Sequence, residues 1–268
     1  MGWREVVART VVVLGVGLWL ANGAVAQITL TNTPTADAFV RSLDPTHNYG
    51  SAGALEVSGS IATNPTSGLQ EGSLDSFLQF NLATDISTFN SAFGVGQWTI
   101  SGVTLAVTAS TANNADFNYG AGGFEVRWIG DNAWQEGTGT PNTPGTNGIR
   151  YAGEPGILNS DVDESLGTFN YNGATSGQIK LTLGSPAGFI SEISTGSLVS
   201  LYMTATPGST IGFTFNSRNF TSSSAWPMLD ITAVAVPEPS TLALFGLSCV
   251  FLAFVGGGRR NRANDPTK

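Results

Sequence analysis

The chain has 268 residues, of which only 11% are charged, against roughly 25% for an ordinary soluble domain. Its 34 glycines and a single Cys argue against surface helices and against a disulfide-stapled fold, and for short strands joined by turns. Between Gln27 and Val236 there are 16 acidic side chains against five basic ones, a net charge of −11. With no basic stripe to neutralise phosphates, nucleic acid is excluded as a partner, while neutral polymers and divalent cations are not.

Residues 1–26 read as a secretory signal peptide. Arg4 and Arg9 charge its start, residues 11–20 are apolar, and Ala24-Val25-Ala26 supplies a small-x-small cleavage site. The apolar run is short for a ~30 Å hydrocarbon core, so cleavage after Ala26 is expected, an uncleaved membrane anchor being the alternative. Strand patterns follow at residues 36–41, 54–57, 76–82, 103–108 and 124–129, then at 178–183, 198–204, 211–216 and 228–234. Turn clusters separate them, among them Asn48-Tyr49-Gly50-Ser51 and the Gly/Asn-rich stretch 137–148. One short helix is expected at residues 185–195. Nine or so short strands without long alternating helices predict an all-β, jelly-roll-like antiparallel sandwich over residues 27–235.

The chain ends with Val236-Pro237-Glu238-Pro239, an apolar stretch over residues 242–258, and a cluster of Arg259, Arg260 and Arg262. The prolines stop the last strand. The stretch is near the lower limit for a transmembrane helix, and the arginines would hold its far end in the cytoplasm. These three parts, spanning residues 236–262 ahead of a cytoplasmic tail at 263–268, resemble the PEP-CTERM sorting signal of Gram-negative bacteria. The resemblance implies processing by an exosortase, transient residence in the inner membrane, and delivery to the cell envelope, surface or extracellular matrix.

The body carries a second resemblance. Asp37-Ala38-Phe39-Val40-Arg41, Asn48-Tyr49-Gly50, Phe77-Leu78-Gln79-Phe80, Trp134-Gln135-Glu136-Gly137 and Ser217-Arg218-Asn219 occur in the order found in the DNRLRE domain. That is a jelly-roll family related to carbohydrate-binding modules, and the likeness runs over about residues 35–234. Gln79 stands where that family usually has Arg, and Asn219 where it often has Glu.

Catalysis is poorly supported, because His47 is the only histidine and neither a nucleophile elbow nor a phosphate loop is visible. Sugars are recognised by stacking on aromatic rings. Trp134 and Tyr151 border the long loop and are the expected ligand rings, with Tyr49 as a third, whereas Trp98 and Trp128 fall within strand patterns and are expected in the core. Asp161 and Asp163 lie close together, and Asp37 and Asp230 sit on the first and last expected strands, so each pair is a candidate for a structural Ca²⁺. Arg218, in an acidic domain, is expected to pair with a carboxylate. The function expected is that of an exported, non-enzymatic protein that binds, or resides in, extracellular polysaccharide. The alternatives are a polysaccharide-cleaving enzyme and a purely structural matrix protein.

Overall fold

The computed structural model describes residues 26–64, 67–110 and 120–236. The signal segment, including Ala24, and the sorting tail from Pro237 onward lie outside the described residues. In chain order the elements are β1 (Gln27–Asn32), β2 (Ala36–Arg41), β3 (Ala54–Ser58), β4 (Leu74–Asn81), α1 (Ala83–Phe93), β5 (Trp98–Ala109) and β6 (Gly122–Ile129). They continue with β7 (Glu164–Tyr171), β8 (Gly177–Leu183), α2 (Ala187–Thr195), β9 (Leu198–Ala205), β10 (Gly212–Asn216) and β11 (Met228–Ala235).

Every strand pairing among these is antiparallel. One layer runs β1-β11-β5-β8 and the other β2-β4-β9-β6-β7. The antiparallel β3–β10 pair links them, yet it meets β5 only at Phe215↔Ala109 and β4 only at Ser58↔Leu74. A ladder reduced to single pairs at two points is free to bend there, and the continuous sheet folds over into a sandwich.

The core lies between the layers. Leu55 and Val57 of β3, Val103, Leu105 and Val107 of β5, and Leu78 and Phe80 of β4 all point into it. Phe213 sits at its centre, stacked on Tyr171 at 4.2 Å and 5.1 Å from Phe215. The period-two pattern of β5 follows from this: Val103, Leu105 and Val107 are buried while Thr104 and Thr108 are half-exposed, and only the small Ala106 is buried on the Thr face. On β4, by contrast, every residue from Leu74 to Phe80 is buried. Such a run means that both faces are covered, and the cover on the outer face positions the candidate site.

Two strands and one helix were not legible in the pattern. β1 and β7 are edge strands of mixed polarity, and β7 is interrupted by Gly167 at φ +139°. Helix α1 is rich in Ser, Thr and Asn, which are weak helix formers. Its Ile86, Phe89 and Phe93 nevertheless recur at helical spacing and pack on the core, so burial overrides propensity. Helix α2 is held at its start by Glu164, whose carboxylate accepts the N–H groups of Gly188 and Phe189 at 3.0 and 2.8 Å. It ends at Gly196, at φ +72°. A Cβ there would stand 2.8 Å from Ile86 Cγ1. Gly196→Ala is therefore expected to destabilise the domain by ~1–2 kcal/mol; an unchanged midpoint in chemical unfolding would refute the assignment.

The two ends of the domain meet. Ala26, at the expected cleavage site, accepts a backbone hydrogen bond from Ala235 at 3.0 Å, and β1 pairs with β11 along its length.

Candidate functional site

Alternation along β4 sends Phe77 away from the main core onto the outer face of its layer. There it joins Ala38 and Val40 of β2, Ile129 of β6 and Tyr202 of β9 in a second apolar cluster. The chain between β6 and β7, residues 130–163, crosses this face and closes it with Trp134 and Ile149.

Polar contacts fasten the cover at both ends. Gln79 Nε2 donates to the Asn132 carbonyl at 3.0 Å and to Ser200 Oγ at 3.3 Å. Ser200 also receives the indole N–H of Trp134 at 3.0 Å and donates to Asn132 Oδ1 at 2.7 Å, while Asn132 Nδ2 reaches Glu192 at 2.8 Å. At the other end, Asn48 is fully buried, and its side chain bonds the carbonyls of Glu136 and Ile149, both at 2.7 Å. Arg218 donates from Nε and Nη2 to the two oxygens of Glu136, each at 2.9 Å, so it does pair with a carboxylate. Its backbone N–H binds Asp37 at 2.6 Å.

Two adjoining hollows open along the cover and share Ile157 as a wall. One, of about 420 Å³, lies among residues 130–133, 156–159, Val162 and Asp163; the other, of about 260 Å³, is bordered by Trp134, Gln135, residues 148–150 and Gly153. Together they form a shallow groove of the size that ligand sites occupy. Asp131 and Asp163 make the first hollow acidic, and Arg150 edges the second.

The structure redistributes the residues expected to bind. Trp134 borders the groove but is only 7% exposed, held between Phe77 and Ser200, so it supplies a wall and not a stacking platform. Tyr49 is buried, stacked on Phe39 at 4.7 Å with its hydroxyl donated to Asp44, so the ring is spent in packing. Tyr151 is half-buried against the second cluster. Trp128 lies in the main core, as expected for a strand residue, and Trp98 packs against that core.

Of the two carboxylate pairs, the fold takes one apart. Asp37 lies on β2 beside β4, whereas Asp230 lies on β11 and accepts from Thr31 at 2.6 Å, so topology separates them. Asp163 accepts the N–H groups of Gly130 and Asn159 at 3.1 and 2.7 Å, and Asp161 is exposed. Among the described residues no group of three or more His, Cys, Asp or Glu side chains is arranged to hold a metal ion.

Asn132, Ser200 and Asn159 are not among the residues singled out from the sequence, and Gln79 stands out there only as a departure from the DNRLRE pattern. No local signal in β4 pointed to them: Asp75, Ser76 and Gln79 break its apolar run, and only its burial on both faces shows that something packs on each side of it.

Residues 28–152 match carbohydrate-binding module family 96, and residues 235–262 match the PEP-CTERM protein-sorting motif. The chain is a PEP-CTERM protein with a carbohydrate-binding-like domain. The motif makes this PEP-CTERM protein an exosortase-sorted, exported protein associated with the cell envelope. The module match ends at Ala152, inside the cover, so it includes the Trp134 side of the groove but not the wall formed by residues 156–163. It is also shorter than the 35–234 over which the resemblance to the DNRLRE domain was drawn. No curated protein matches the chain.

Proposed function

We propose that this protein binds polysaccharide outside the cell without cleaving it, through the groove on the outer face of the β2-β4-β9-β6-β7 layer, and that it resides in exopolysaccharide. In this reading residues 242–258 hold it in the inner membrane until the exosortase acts. The observation that carries the reading is the groove itself, built by a chain segment that begins within the carbohydrate-binding-module match. Its acidic first hollow and the −11 charge of the domain favour a neutral glycan, because a polyuronate would bring further negative charge to a negative surface.

Titration of the full chain, in detergent, with neutral β-glucans and with alginate tests this. Saturable binding of a neutral glycan is expected, with alginate unbound at low salt. Gln135→Ala and Arg150→Ala should each weaken binding by roughly five- to tenfold, the worth of one hydrogen bond to a ligand. Silence toward every glycan would overturn the binding reading, and steady release of oligosaccharides would overturn its non-enzymatic part.

A further inference from the structure

Beneath the groove, the 3-10 turn Tyr151–Gly156 presses Glu154 onto the sheet. Glu154 is 6% exposed and Asp75, on β4, is 4% exposed. Each carboxyl has one buried oxygen, Glu154 Oε1 and Asp75 Oδ1, without a hydrogen-bond partner. The groups facing the pair are the hydroxyls of Tyr202 and Thr204 on β9, Tyr151 on the turn itself, and Ser73 ahead of β4. Arg127 of β6 stands opposite Tyr202, but its guanidinium is engaged by the Asp163 carbonyl and Glu125. No cation among the described residues offsets either carboxyl. A buried carboxyl with an oxygen left unpartnered is costly to ionise, so each of these acids favours its protonated form, and the charge of one raises the cost of ionising the other.

We infer that Asp75 and Glu154 form a proton-operated latch, in which their protonated, buried carboxyls let the Tyr151–Gly156 turn lie against the sheet and the loss of those protons to solvent lifts the turn and remodels the groove. The turn and the residues after it are groove wall, since Gly153, Gly156, Ile157 and Leu158 all border the hollows. Burial, followed by the neighbouring Asp75, pushes Glu154 up to about 8, and burial pushes Asp75 up to about 6. Both acids keep in the folded state a proton that the unfolded chain releases near pH 4. The stability they contribute is therefore complete in acid and is lost as pH rises through about 6 to 8.

As a regulator of glycan binding the latch rests on the groove reading above; as a moving part it is tested without any glycan. Hydrogen exchange of the Ile157 and Leu158 amides, both bonded to the Glu154 carbonyl at 2.9 Å, reads the turn directly. In the full chain in detergent, their protection, corrected for intrinsic exchange, should fall by at least about tenfold between pH 6 and pH 9 while β4 stays protected. Glu154→Gln keeps a donor in place without a charge and should hold protection level across that range, whereas Asp75→Asn leaves Glu154 buried but without its charged neighbour and should move the fall to lower pH. A flat profile in the native protein overturns the latch, as does a fall in Glu154→Gln equal to the native one. If exchange responds as expected while no glycan binds, the latch stands and the groove reading fails.

Discussion

Asn48→Ala is expected to destabilise the protein by about 3–4 kcal/mol, the largest loss of any single polar substitution in the domain. The side chain has no exposed surface and makes four hydrogen bonds: two donated to the Glu136 and Ile149 carbonyls, and two accepted from the N–H groups of Gly50 and Gly139 at 3.0 and 3.1 Å. Alanine would leave those four backbone groups unsatisfied where water is excluded, at roughly 1 kcal/mol or more each. The surroundings are too tight to adapt. A Cβ on Gly50 would meet the Glu136 carbonyl oxygen at 1.8 Å, and one on Gly139 would meet that of Asn48 at 1.7 Å. Because Asn48 pins the cover, the variant should also lose the burial of Trp134 before the main core melts, seen as a red-shifted, earlier fluorescence transition. A stability loss under about 1 kcal/mol in denaturant unfolding would sink this account.

Arg218→Met is expected to cost about 2 kcal/mol at pH 8 and clearly less at pH 5. Methionine keeps the apolar stem but removes both bonds to Glu136 and leaves that carboxylate facing Asp37. The pair is partly exposed, at 32% for Arg218 and 16% for Glu136, so the figure is set below that of a fully buried ion pair. Burial, with Glu136 adding to it, pushes Asp37 up to about 7 even with the arginine present. An acid raised in the folded state takes stability away as pH rises, so removing its cation must hurt most above pH 7 and least where the carboxyl is protonated. Denaturant midpoints of both proteins between pH 5 and pH 8 decide it. A pH-independent difference would mean that Arg218 acts through packing alone.

The elements legible in the sequence share one property: each is specified within a few neighbouring residues. Strand β5 alternates because one of its faces lies on the core, and that alternation is visible without any partner. The second helix shows the helical spacing of Phe189 and Ile193 and stops at a glycine. Helix α1 was missed because its polar residues argue locally against a helix, while Phe89 and Ile86 are rewarded only by contact with distant strands.

The site behaved differently from the fold. Trp134 and Tyr49 carry the chemistry of a sugar platform, and both lie in turn-rich stretches. Whether a ring is a platform or a plug depends on what covers it, and here residues 130–163 and the stack with Phe39 decide for the plug. Likewise, nothing near Asp75 announces a partner 79 positions away at Glu154.

By itself the sequence determined the antiparallel β architecture and the sorting address at the C-terminus, since period-two burial and a contiguous recognition motif are both written in adjacent residues. The tertiary structure alone decided which face of the sandwich carries the groove, which aromatic rings are spent in packing, and which carboxyls are buried. Those properties arise from contacts between residues far apart in the chain, and no local pattern encodes the burial that such contacts create.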